Sequence, residues 1–215
     1  MNSTTLSCIL DVKDLSFAYP GQPALAAGWC ASIGAGVTLL FGDTGSGKSA
    51  ILQVIGGRLP AEGQLTLAGA RLDREPEAYQ RNLFFCDPTT DAFDQVSARA
   101  LSASLKTGDA GFSDLRWQAC IEGFSLTPHI DKPMYMLSTG TKRKVWLAAA
   151  LASGRALTLL DEPTGALDAA SIRFLWRALT ELAGQPRAIV VASAARIDSV
   201  PLSASIELPL RSTGA

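Results

Sequence analysis

A short apolar run, VTLLF at 37–41, breaks into GDTGSGKS at 42–49 and continues as AILQVIGGRL. The run is unbroken rather than alternating, as a strand buried on both faces requires, so the order reads strand, glycine loop, helix. Gly42, Gly45 and Gly47 let backbone N–H groups converge on phosphates with no Cβ in the way. In the same pattern Lys48 reaches the β and γ phosphates, and the Ser49 hydroxyl is placed for Mg²⁺. Asp43, Thr44, Ser46 and Ala50 complete the candidate phosphate-binding segment.

A second buried strand, ALTLL at 156–160, delivers Asp161 and Glu162 at its C-terminal end. Ligands collect at that end of a parallel α/β sheet, so both acids are expected to face the phosphates. One of the two carboxylates is a candidate Mg²⁺ ligand, usually through water, and its neighbour the candidate group that orients or deprotonates an attacking water.

The stretch LSTGTKRKVWLAAALASG at 137–154 opens like a helix start but loads its first turns with Lys142, Arg143 and Lys144. A helix N-terminus carries about half a positive charge and unpaired N–H groups, so cations there are disfavoured unless an anion is near. Two readings remain open: a solvated cationic face, or a docking point for something negative.

Composition excludes more than it selects. The chain has 215 residues, of which 47% are hydrophobic, enough for a buried core, and a formal net charge of −1 supplies no general field for nucleic acid. Cysteines at 8, 30, 86 and 120 show no CxxC spacing and there is a single histidine, so neither a zinc site nor a disulfide framework is indicated. Cys8 is read as an ordinary buried thiol, and the thiols as reduced. No apolar window approaches the roughly 18 residues of a membrane span, and the N-terminal segment has no signal-peptide pattern.

Further segments fall in order along the chain: FAYP with Tyr19, LSTGT at 137–141, DEP at 161–163 and GALD at 165–168. With the glycine loop they make the chain resemble the nucleotide-binding subunits of ATP-binding cassette (ABC) ATPases over nearly its whole length. LSTGT looks like the family signature LSGGQ, DEP matches the extended Walker B motif, and GALD resembles the D-loop. The resemblance implies an α/β P-loop NTPase fold: a RecA-like parallel-sheet core, a small antiparallel β subdomain and an inserted α-helical subdomain. A single domain over 1–215 is expected, with 1–86 and 138–215 forming the core and β subdomain and 87–137 the helices.

Function follows from the same resemblance. Tyr19 would stack on adenine, and residues 42–50 would hold ATP with Mg²⁺. Ser138, Thr139, Gly140 and Asp168 would meet the ATP of an opposing cassette, identical or different, in a head-to-tail dimer. The expected role is the ATP-binding and ATP-hydrolysing subunit of a transporter, peripheral at the cytoplasmic face of the membrane beside integral membrane subunits. A soluble ABC-type ATPase and an ATP-dependent dimerisation module are the alternatives.

The sequence also departs from the family. No Gln follows the strand NLFFC at 82–86; Asp87 is the nearest polar substitute and a candidate Mg²⁺ ligand, while Gln95 lies too far along. The switch histidine that should close the strand AIVVA at 188–192 is replaced by Ser193 and Ala194, the latter aligned with the missing imidazole. His129, in SLTPHIDKP, reads as an ordinary histidine. Losing one preorganised donor to a transferring phosphoryl group costs about 10²- to 10³-fold by analogy with oxyanion-hole deletions, so slow hydrolysis is expected. Between 87 and 136 two or three helices are expected, one of them placing Leu115, Ala119, Glu122 and Gly123 at helical spacing. Phe84, Phe85, Phe93 and Trp117 are either core residues or contacts for a membrane partner.

Overall fold

A computed structural model describes residues 8–85, 90 and 92–211. The glycine loop follows β3 (Gly36–Phe41), which lies inside a parallel sheet with β6 (Leu83–Phe85), β7 (Leu157–Asp161), β8 (Ala188–Ser193) and β9 (Leu202–Glu207), in the order β6-β7-β8-β3-β9. Register puts Phe41 opposite Ser193 and Asp161 opposite Ala192. The residues that follow these three strands therefore emerge at one edge.

The strand sequences explain why the sheet is buried on both sides. Successive side chains point to opposite faces, and both faces of β3, β7 and β8 are apolar. Leu40, Leu159 and Val190 pack towards α1 (Lys48–Ile55), together with Ile51, Leu52 and Ile55 of that helix. Leu39, Leu160 and Val191 pack in the opposite cluster, with α5 (Thr139–Ala152) and α6 (Ala169–Leu182).

A second sheet, in the order β10-β2-β1-β4-β5, is built from β1 (Leu10–Phe17), β2 (Ala26–Ile33), β4 (Glu62–Leu67), β5 (Ala70–Arg71) and β10 (Leu210–Arg211). It is antiparallel except where the late strand β10 runs parallel to β2, pairing Leu210 with Ala26. The short helix α2 (Pro76–Arg81) is tied to α1 through Tyr79, whose hydroxyl donates to the Ile55 carbonyl at 2.8 Å.

Between β6 and α5 lie α3 (Ala98–Thr107) and α4 (Asp114–Gly123) and two short 3-10 turns. Ser97 and Ser113 cap the two helices by accepting the Ala100 and Arg116 N–H groups, both at 3.2 Å, each cap worth about 1 kcal/mol. The inward side of α4 is Trp117, Cys120 and Ile121, whereas Leu115 is 84% exposed, so the helix is rotated relative to the stripe expected from the sequence. Phe84 and Trp117 are core residues, Phe93 packs edge-on against Trp146 with ring centroids 5.4 Å apart, and Phe85 lies beneath the Arg58 guanidinium. Cys8 is exposed, correcting the expectation of a buried thiol.

At the far end of α5 sits a buried cation. Arg187, just before β8, donates to the carbonyls of Ala150 (3.1 Å), Leu151 (3.5 Å) and Ser153 and to the Thr158 hydroxyl. Burial pushes its pKa down to about 10, so it stays charged at neutral pH and meets the negative end of the helix dipole.

Candidate functional site

The loop after β3 takes the shape its glycines allow. Gly45 and Gly47 have φ of +81° and +97°, and a Cβ on Gly47 would lie 2.5 Å from Leu25 Cδ1. The helix α1 begins with Gly47 as a cap that offers no side chain, and its first turn holds no acid. Its first N–H groups are thus left for an anion. Asp43, Thr44, Gly45 and Ser49 are exposed along the loop, while the Ala50 side chain is buried, leaving its backbone to the site.

Lys48 is only 5% exposed and folds back over the loop. Its Nζ donates to the carbonyls of Gly42 (2.8 Å) and Asp43 (2.9 Å) and lies 3.2 Å from Glu162 Oε1. Burial raises the pKa of Asp161, and the neighbouring Glu162 charge adds to this, while Ser49, Lys48 and Arg143 act in the opposite direction. The loop, Asp161 and Glu162 therefore assemble at one sheet edge, as the sequence predicts.

Two buried oxygens at this edge, Ser46 Oγ and Asp161 Oδ1, have no hydrogen-bond partner. Unpartnered buried polar atoms are costly, and both belong to the segments whose chemistry suits a phosphate and its metal ion. No cluster of three or more His, Cys, Asp or Glu side chains fit for a metal occurs among the described residues. Mg²⁺ does not need one, since it is held by one or two protein oxygens with phosphates and water. Ser49 and Asp161 fit that role; Asp87 lies outside the described residues.

Glu162 has a φ of +40°, uncommon for a residue with a side chain. Its N–H donates to the Ala192 carbonyl at 3.0 Å, which ties it to the end of β8. Ser193, the last residue of β8, is buried and accepts the Ala195 N–H at 3.1 Å, and Ala194 just beyond it is half-buried. A feature absent from the sequence reading is Arg196, whose guanidinium sits 4.6 Å from the Phe41 ring centre beside the loop.

Tyr19 is 40% exposed and packs edge-on against Phe17, 5.2 Å between ring centres. Its segment is anchored by Leu25, whose N–H donates to the Phe17 carbonyl at 2.9 Å and whose side chain covers Gly47. Tyr19 lines an open pocket with Phe17, Ala26, Leu59 and Pro60.

Ser138 caps α5, accepting the Thr141 N–H at 3.2 Å, with its Oγ 2.9 Å from Thr141 Oγ1. Ser138 and Thr139 are exposed, and a Cβ on Gly140 would lie 2.5 Å from the Ala166 carbonyl oxygen. Among the described residues no hydrogen bond or ion pair joins Ser138, Thr139 or Gly140 to the loop at 42–50. The three cations that follow are neither a solvated face nor free for an incoming anion. Lys142 pairs with Asp94 at 2.6 Å, Arg143 donates to the Glu162 carbonyl at 2.6 Å, and Lys144 pairs with Asp168 at 2.6 Å. Asp168 also accepts from the Ser171 N–H (2.8 Å) and hydroxyl (3.0 Å), which with Lys144 hold its carboxyl well below the usual range.

A parallel sheet with a glycine loop, a cationic lysine over it and two acids at the adjoining strand end define a P-loop nucleotide-binding protein. A family model described as "ABC transporter" matches residues 33–165. The chain is 35% identical to a cytochrome c biogenesis ATP-binding export protein of Paramagnetospirillum magneticum, covering 84% of this chain and 83% of that one. The counterpart from Rhodospirillum rubrum is 36% identical, covering 72% and 67%. An ATP-binding cassette sub-family A member 7 of Rattus norvegicus is 31% identical over 86% of this chain, which spans only 9% of that protein's length. A solved ATP-binding subunit of an ABC transporter superposes with a TM-score of 0.74 at 24% identity, covering 86% and 79% of the two chains, a likeness of fold. The chain belongs to the ABC transporter family and carries its ATP-binding fold. No helix among the described residues is long and apolar enough to cross a membrane.

Proposed function

We propose that the chain binds ATP with Mg²⁺ and hydrolyses it slowly as the ATP-binding subunit of an ABC transporter, in a head-to-tail dimer with an identical or different cassette. The observation that carries this reading is the convergence of Lys48, Ser49, Asp161 and Glu162 at one sheet edge. Residues 42–50 bind the phosphates through loop N–H groups, the start of α1 and Lys48, and Tyr19 stacks on the base. Ser49 and Asp161 hold Mg²⁺, which neutralises phosphate charge when bound. Lys48 then turns from the Gly42 and Asp43 carbonyls to phosphate, releasing the Glu162 carboxylate to orient and deprotonate water.

The opposing subunit's nucleotide is met by Ser138, Thr139, the Gly140 N–H and the Asp168 region, which stand at the exposed start of α5 and at the cap of α6. The helices of 87–137 form the subdomain that faces integral membrane subunits, and the chain works as a peripheral cassette at the cytoplasmic face. Named relatives that are ATP-binding export proteins support transport over a soluble machine. Ala194 in place of an imidazole supports slow turnover, and it also favours the second reading, in which ATP-driven dimerisation itself is the output.

The test is hydrolysis and ATP-induced dimerisation of purified protein, measured by phosphate release and light scattering. Ser138→Arg is expected to abolish both while ATP binding by the monomer is retained. Wild-type dimerisation without turnover selects the second reading; equal loss of monomer binding in Ser138→Arg refutes the role given to the start of α5.

A further inference from the structure

We propose that Arg143 is a positioning residue for Glu162, tying the first turns of α5 to the backbone from which the Glu162 carboxylate projects. This rests on the reading of Glu162 as the group that acts on water. Nη1 of Arg143 donates to the Glu162 carbonyl at 2.6 Å, and the same oxygen accepts the Gly165 N–H at 3.1 Å. The two donors fix the peptide that leaves a residue at φ +40°, a backbone that holds only where its surroundings impose it.

The setting of the guanidinium is a built one. Gly165 makes room for it, since a Cβ there would lie 2.5 Å from Nη1. Arg143 lines a largely apolar pocket with Phe84, Trp146, Leu147, Asp161 and Pro163, and its Nε is buried without a partner. A charged group is expensive in such a place, and a cation kept only for solubility belongs in water. Here it spans from a helix to the strand end that carries both acids.

The placement along α5 gives the contact a use. The helix starts at Thr139, so about one turn separates its exposed N-terminus from Arg143. When that N-terminus engages the opposing subunit's nucleotide, the displacement reaches the Glu162 peptide through one rigid turn and one hydrogen bond. Each subunit's hydrolysis is thereby conditioned on its own signature segment being engaged.

The test compares Arg143→Ala and Arg143→Lys with wild type and Glu162→Gln, reading kcat, KM for MgATP, ATP affinity and melting temperature. Arg143→Ala is expected to lower kcat by about 10- to 10²-fold, the scale of a small misplacement of a reacting group, with KM and ATP affinity near wild type. Ethylguanidinium added in solution restores part of the lost kcat by refilling the pocket, and Arg143→Lys, which keeps the charge but not the fork, falls between. Wild-type kcat in Arg143→Ala beside an inactive Glu162→Gln overturns this proposal alone, whereas an active Glu162→Gln overturns the role of Glu162 beneath it. A loss of kcat matched by lost ATP binding and untouched by ethylguanidinium marks Arg143 as purely architectural and also overturns the proposal. If Arg143→Ala does not fold, Arg143→Lys decides by the same split between kcat and KM.

Discussion

Lys48 Nζ stands 3.2 Å from Glu162 Oε1 while donating to two carbonyls of its own loop. The lysine that should greet phosphate and the acid that should activate water hold each other. Breaking this pair from the acid's side removes the proposed base but keeps the cation over the loop. Glu162→Gln is expected to slow hydrolysis by about 10²-fold or more, the range for a general base, with ATP affinity kept. Single-turnover phosphate release and nucleotide titration check both parts.

Asp161 offers a pH test. Its pKa is raised in the fold, chiefly by burial, so the folded chain holds this proton more tightly than the unfolded one. The stability it contributes is fully present below the ordinary carboxylate pKa and is lost as pH rises through the folded value. Asp161→Asn is therefore expected to melt higher than wild type at neutral pH without nucleotide, with the gap closing on acidification. The same variant loses Mg²⁺-dependent hydrolysis, so calorimetry and activity move in opposite directions.

The switch position admits a gain of function. Ala194 is half-buried at the end of β8, whereas Ser193 is buried, opposite Phe41, with its oxygen engaged by the Ala195 N–H. Ala194→His is expected to raise kcat, by up to about 10²-fold for one restored donor. Ser193→His must place an imidazole where the chain is closed, and is expected to lower the melting temperature without that gain.

Arg187 supports α5 at its C-terminal end. Replacing it with Met leaves the carbonyls of Ala150, Leu151 and Ser153 without their donor inside the core. The expected cost is about 3 kcal/mol, the scale of leaving buried acceptors without a donor, read from denaturant midpoints. ATP binding at the loop, on the opposite side of the sheet, is expected to survive in the folded fraction.

Much of this site was legible because its residues are contiguous. GDTGSGKS and the Asp161–Glu162 pair carry their geometry locally, as strand end followed by turn, so the sequence reading finds them and the parallel sheet brings them together. What stayed hidden are partnerships between distant segments. Lys142, Arg143 and Lys144 looked like a misplaced charge run, yet each is answered by Asp94, the Glu162 carbonyl or Asp168, and no local pattern announces such pairs. The rotation of α4 was illegible for a related reason: Leu115, Ala119, Glu122 and Gly123 do share a stripe, but the helix buries Trp117 and Ile121, which offer more apolar area to α5.

The late strand β10 pairs with β2, and the Leu210 N–H donates at 2.8 Å to the carbonyl of Leu25, the residue that covers Gly47. Without Leu210 and Arg211 that margin of β2 would present unpaired N–H and C=O groups, a template for another chain. Truncation ahead of β10 would therefore be felt twice: as self-association in concentrated solution, and as looser closure over the glycine loop.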